Sequence, residues 1–404
     1  MMPSIDSRFR QTGTKFRLYP QSPVLEGFRD PQTVWVSSPV GSLGPGPSDH
    51  RMVTRDPIGK KPYGEDRLPP WTGRSRPPLL PGRDGHFDHI DPNEPEFLAA
   101  HMFGTVRRVM DVWEAYLGGP IAWAFASTHP RLELIPHVPW NNAHFGWGFM
   151  EAGEGKDDQG VERPFALNFD VLAHETGHGL VFAIVGMPGP GAMSTAYRGF
   201  HESASDITAM IAALHFDSFL DHVLKETEGD LYVANAANRI GELSKTRQIR
   251  SAANALTMAD VIPLDTPVEE VTGKQVHKLG QPLTGAMFDI LVEFFEERLE
   301  ALSLIPSDHA ALSRSAVQAK RAGEVDPTPV TDAYGRNPRA FRRALAEARD
   351  MLGLRIAQTW HRLSPRGLSY SEVGKTLLAV DRSISGQRNQ SLIRAAFTHR
   401  EIDV

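Results

Sequence analysis

The chain has 404 residues, a formal net charge of −6 and an isoelectric point near 6.2. That balance argues against a nucleic-acid footprint, which needs a basic patch or run. There is no cysteine, so disulfides and thiolate metal sites are excluded and any metal must be held by His, Asp or Glu. With 41% hydrophobic residues the chain can bury the core of two or three subdomains, and no run of about 18 apolar residues reads as a membrane span.

Residues 1–20 are polar and basic without an apolar stretch. No secretory signal is read there, which favours a cytoplasmic location with non-classical export as the other route. Residues 1–90 carry 14 of the 31 prolines, which denies them regular helix. They read as an extended arm with one strand at 33–37. A short pro-segment, a packed arm and a mobile tail all fit the length. The packed arm is favoured because Phe16, Leu18, Val34, Trp35, Val36 and Trp71 are apolar surface to bury.

After Asp91-Pro92-Asn93 the pattern turns helical over 94–117, with Phe97, His101, Val106, Val109, Met110 and Trp113 near helical spacing and Gly118-Gly119-Pro120 as the stop. Residues 132–138 read as a strand, 146–160 as a loop and 165–169 as a short strand. Asp170 is placed to cap a helix carrying His174 and His178. Gly177 and Gly179 weaken that helix by about 1 kcal/mol each, which suggests close approach of another helix. Further helices are predicted over 201–216, over 284–302 and from 338 to the end, with a long loop inside 306–337. The organisation predicted is a Pro-rich arm (1–90), an N-terminal lobe (91–185) and a mainly helical C-terminal lobe (186–404).

The most informative stretch is His174-Glu175-Thr176-Gly177-His178. In a helix, residues i and i+4 share a face one turn apart, so His174 and His178 can bind one metal ion together, with Glu175 in reach of a water on that ion. A helix with two half-exposed histidines is the plainer reading. A third ligand is expected on a neighbouring element. Glu202 is the candidate, and Asp206 on the same helical face can orient a ligating imidazole. For this pair the plainer reading is an acidic helix start that complements the helix dipole.

These segments resemble, in order, the thermolysin family of zinc metallopeptidases (gluzincins). Trp140-Asn141-Asn142-Ala143 is similar to that family's Asn-Asn-Ala segment on the strand bordering the substrate cleft. Residues 170–175 resemble the start of its active-site helix, and Glu202 with Asp206 its third ligand and supporting aspartate. Ile240-Gly241-Glu242, Ile249-Arg250-Ser251 and Val276-His277 follow in the family's order, and residues 391–402 resemble its closing helix. The resemblance covers roughly residues 90–404.

It implies an α+β, thermolysin-like, two-lobed metallopeptidase fold, with a mixed β/α N-terminal lobe and a helical C-terminal lobe. It also implies zinc held by His174, His178 and Glu202, with Glu175 as the base that activates the zinc-bound water of an endopeptidase. His277 and Tyr197 would donate to the oxyanion. Asn142, the Ala143 carbonyl and Arg250 would hold the substrate backbone. Val171 and Ile249 would line an apolar pocket for the residue after the cleaved bond. The partner implied is a peptide or protein, with no nucleic acid and no membrane.

The chain departs from the family at several points. Thr272 stands where the family has the aspartate that orients its downstream histidine, and His201 replaces an asparagine. Asp170 and Glu242 match two calcium carboxylates while Ala213 stands at another, so calcium is left open. The second reading is therefore a zinc-binding protein of the same fold that acts as a protein-binding module without catalysis.

Overall fold

The computed structural model describes residues 4–64, 66–157, 159–189, 191–241, 250–318 and 325–404. The chain divides into two compact units. One is Pro3–Ile184 with Gly241–Ile249; the other is Val185–Ile240 and Arg250–Val404, with Met1–Met2.

In the first unit the Pro-rich extension is folded rather than merely extended. It contains a helix, α1 (Ile5–Phe9), and three strands, β1 (Gly13–Leu18), β2 (Gln32–Pro39) and β3 (Met52–Thr54). The expected strand at 33–37 lies inside β2, which pairs antiparallel with β1. Apart from Pro39, the last residue of β2, the prolines of the extension lie outside these elements. Phe16, Leu18, Val34 and Val36 are buried. They pack against α2 (Phe97–Leu117). That helix starts three residues later than predicted, because residues 94–96 form turns.

Helix α2 is buried nearly all round, which obliges its charges to be paired inside. Arg107 binds Asp111 and Glu114, Arg108 binds Asp6 of α1, and Asp111 accepts from the Ser37 amide of β2. The buried His101 bridges two segments: Nδ1 donates to the Ala166 carbonyl at 2.7 Å and Nε2 accepts from the Tyr19 amide at 3.0 Å.

The strands β4 (Leu132–Ile135), β5 (Ala143–Gly146) and β6 (Phe149–Ala152) join β3 in a four-stranded sheet of order β3-β4-β6-β5. The pairs β3–β4 and β4–β6 are parallel and β5–β6 antiparallel, so β5 is an edge. A hairpin of β7 (Glu154–Lys156) and β8 (Glu162–Pro164) follows. The loop predicted at 146–160 thus contains β6 and β7, with Phe149 and Met150 buried. Residues 165–169 are not a strand. Phe165–Leu167 is a short 3-10 helix, and α3 (Phe169–Ile184) begins directly after it.

The second unit is helical. Helix α4 (Thr195–Ala213) starts before the predicted His201 because Ser194 caps it, accepting from the Tyr197 amide at 3.1 Å. Helix α5 (Asp217–Thr227) and the short strands β9 (Arg239–Ile240) and β10 (Arg250–Ser251) lead to α6 (Gly273–Ala301). Helix α6 begins eleven residues before the predicted 284. Thr272 and Gln275 form a reciprocal capping box, a start signal masked in the sequence by Gly280, Pro282 and Gly285. The stretch 306–337 is not one long loop: it holds α7 (His309–Gln318) and α8 (Thr328–Arg336). The C-terminal region is α9 (Pro338–Trp360), α10 (Tyr370–Ser385) and α11 (Gln390–His399). Among the described residues, no single helix is long and apolar enough to cross a membrane.

Candidate metal centre

Helix α3 is initiated by Asn168, not by Asp170 as predicted. The Asn168 side-chain oxygen accepts from the amides of Asp170 and Val171 at 3.1 and 3.3 Å, a role in which Asn matches Asp. The Asp170 carboxylate instead accepts from the Gly241 amide. The helix carries His174, Glu175 and Thr176 inward; Thr176 donates to the Leu172 carbonyl at 2.7 Å. Gly179 is explained by aromatic packing. A Cβ there would lie 2.5 Å from the Phe145 ring of β5 and 2.9 Å from Trp123, so the close neighbours are rings, not the second helix expected.

The imidazoles of His174 and His178 stand perpendicular, with centroids 4.9 Å apart. Ligand atoms of His174, Glu175 and His178 all lie within 4.8 Å of one another, and among the described residues this is the one group of three or more such side chains so placed. Two imidazoles at this spacing, with no thiolate nearby, are a donor set suited to zinc and similar divalent ions. His174 and Glu175 are 7% and 9% exposed. Burial of that order excludes most competing water and leaves the carboxylate in need of a partner. One partner is the Phe145 amide, which donates to Glu175 Oε2 at 2.8 Å. Edge strand β5 therefore orients the acid of the pentapeptide, a role that the sequence reading did not assign to Phe145. Ala143, 7% exposed, opens the same strand. Asn142 is exposed just before it, and Val171 is half-buried on the first turn of α3.

The helical unit gathers a second group of predicted residues. Glu202 and Asp206 lie one turn apart on α4, and Asp206 is 1% exposed. Arg250 of β10 grips Asp206 with two nitrogens: Nη2 to Oδ1 at 2.6 Å and Nε to Oδ2 at 3.0 Å. His277, on the first turns of α6, places Nδ1 2.6 Å from Glu202 Oε2. Arg250 Nη1 lies 3.3 Å from the same ring nitrogen and is placed to donate to it when that nitrogen is unprotonated. Gly280 makes this approach of α6 to α4 possible. A Cβ there would meet the Gly199 carbonyl at 3.0 Å, the Ser203 amide at 3.1 Å and Glu202 Cβ at 3.2 Å.

Tyr197 is 1% exposed and its hydroxyl donates to the Gly186 carbonyl at 2.6 Å. Burial pushes its pKa upward. Thr272 caps α6, its hydroxyl oxygen accepting from the Gln275 amide at 3.4 Å. Ile249 and Glu242 lie outside the described residues.

In structure the chain is similar to the precursor of protealysin, a metalloproteinase from Serratia proteamaculans. The TM-score is 0.50 at 11% identity, over 88% of this chain and 89% of that one. No known sequence family matches the chain, and no curated protein matches it in sequence. At that identity the likeness establishes architecture alone: the chain has a mixed α/β, thermolysin-like fold.

Proposed function

We propose that the protein is a zinc metallopeptidase whose centre is built on α3. The observation that carries this reading is the convergence of His174, Glu175 and His178 ligand atoms within 4.8 Å, with the Phe145 amide orienting the carboxylate.

In this reading His174 and His178 hold the ion through ring nitrogens. Glu202 completes the ligand set, a step that rests on sequence order. Zinc, when bound, supplies a positive charge that polarises a carbonyl and lowers the pKa of a water. Glu175 takes the proton of the attacking water and passes it to the departing amine. Strand β5 is a sheet edge, so an extended peptide can pair along it, with Asn142 and the Ala143 carbonyl as backbone partners. Arg250 engages the carbonyl beside the cleaved bond and His277 the oxyanion. Tyr197 is given no part, because its proton is engaged by Gly186 in the core. Val171 and Ile249 favour an apolar side chain after the cleaved bond.

The test is zinc-loaded protein incubated with a mixed peptide library and read by mass spectrometry. Wild type cleaves, and Glu175→Gln keeps its zinc while losing about 100-fold or more of the rate. Cleavage that survives this substitution removes Glu175 as the base. A wild type that binds zinc and cuts nothing supports the protein-binding module instead.

A further inference from the structure

Strand β5 carries the amide that holds Glu175 and, one residue earlier, His144, whose ring lies on the opposite face of the sheet. We propose that Lys60 and His144 are positioning residues for Glu175, acting through the buried carboxylate of Glu151.

Glu151, on the central strand β6, is 0% exposed, and its counter-charge Lys60, from the Pro-rich extension, is 3% exposed. The carboxylate accepts from Lys60 Nζ, from the Tyr63 amide at 2.8 Å and from His144 Nε2 at 2.8 Å. His144 and Glu151 are directly opposed across the β5–β6 pair. The imidazole is also wedged edge-on against Trp140 and Phe149, with centroids 4.9 and 5.0 Å away. The neighbouring Glu133 repeats the pattern on β4, accepting from the Tyr63 hydroxyl and the Trp71 amide. Lys60, Tyr63 and Trp71 are thus tied to the sheet by carboxylates that point out of its strands.

Burying a lysine–glutamate pair gives little stability over a hydrophobic pair of the same volume. What this pair supplies is fixed geometry. An edge strand hydrogen-bonded on one side only is the part of a sheet that opens most readily. His144 pins that strand by its side chain, and the next residue, Phe145, holds Glu175. Lys60 holds Glu151 in place, so the extension acts on the pentapeptide without touching it.

The catalytic half of this inference rests on the metallopeptidase reading; the structural half does not. The variants, made in full-length zinc-loaded protein, are His144→Phe, which keeps the ring and removes the donor, His144→Gln, which returns a donor, and Lys60→Met. The first readout is kcat and KM for a cleaved peptide. The second is amide hydrogen exchange over residues 143–146. In His144→Phe, kcat falls by about tenfold to a hundredfold, KM and zinc content stay as in wild type, and exchange in β5 speeds up. His144→Gln recovers most of both, and Lys60→Met follows His144→Phe. Should Lys60→Met fail to fold, His144→Phe decides alone. If wild type cleaves no peptide, the metallopeptidase reading falls while faster β5 exchange in His144→Phe still supports the positioning chain. A folded His144→Phe with wild-type β5 exchange, or with wild-type kcat, overturns it.

Discussion

The amide of Phe145 donates to Glu175 at 2.8 Å, so a strand edge takes part in orienting the acid of the pentapeptide. Glu175→Asp tests what that orientation contributes. It keeps the charge and shortens the reach by one methylene, so the carboxylate no longer meets the amide and the substrate together. The rate of peptide cleavage is expected to fall about 100-fold with KM nearly unchanged, while zinc content stays stoichiometric. Steady-state kinetics beside metal analysis checks this. A KM effect without a kcat effect would place Glu175 in binding rather than in proton transfer.

Arg250 and Asp206 form a two-point ion pair in which Asp206 is 1% exposed. Removing the cation leaves that carboxylate buried without the guanidinium, with the Gln281 amide at 3.4 Å among its remaining donors. Arg250→Met is therefore expected to destabilise the folded protein by about 3 kcal/mol or more. Arg250→Lys should recover only part of this, because an ammonium cannot reproduce the paired geometry. Urea unfolding of the three proteins measures it. An Arg250→Met as stable as wild type would mean that Asp206 is compensated by other partners.

The shared helical face of His174 and His178 and the one-turn spacing of Glu202 and Asp206 are legible in the sequence, because four residues make about one helical turn wherever the helix begins. Arg250 and His277 were legible only through the family's order, since no local pattern links them to α4. Other features were hidden for physical reasons. Asn168 is hidden as a cap because Asp170 has the same preference and stands closer to the histidines. The early start of α6 was obscured by Gly280 and Pro282, although Thr272 and Gln275 held the capping-box signal. Glu133 and Glu151 carry no signal in the sequence, because a buried carboxylate is recognisable only once its donors, Lys60 and Tyr63, are brought up from some seventy to ninety residues away. Phe145 acts through its backbone amide, which no side-chain pattern reports.

His101 gives the first unit an acid limit. Burial pushes its pKa down from 6.5 to about 4, and neutral imidazole is what lets Nε2 accept from the Tyr19 amide. The unfolded chain takes up a proton that the folded chain refuses. Stability from this group is thus complete above about pH 6.5 and is lost as pH falls towards 4, by at most about 3 kcal/mol. His101→Gln, which offers one donor and one acceptor but does not titrate, should flatten that part of the profile. Urea midpoints across this pH range check it; an unchanged slope in His101→Gln would assign the acid sensitivity to another group.

Glu293 of α6 gives the helical unit the opposite dependence. Its side chain is 4% exposed, Oε1 meets Arg314 Nε at 2.9 Å, and Oε2 has no hydrogen-bond partner among the described residues. Burial pushes its pKa up from 4.5 to about 7, against the pull of Arg314 and with help from Glu297 and Asp289. The folded chain therefore binds a proton that the unfolded chain has released. The stability this gives is complete below about pH 4.5 and is lost as pH rises through 7. Glu293→Gln removes the charge, and Arg314, whose side chain is 24% exposed, keeps access to water. The variant should match wild type at about pH 4.5 and exceed it by roughly 2 kcal/mol at about pH 8. Equal stability at the higher pH would mean that Arg314 fully offsets the burial of the carboxylate, and the orphaned Oε2 would then have to be hydrated.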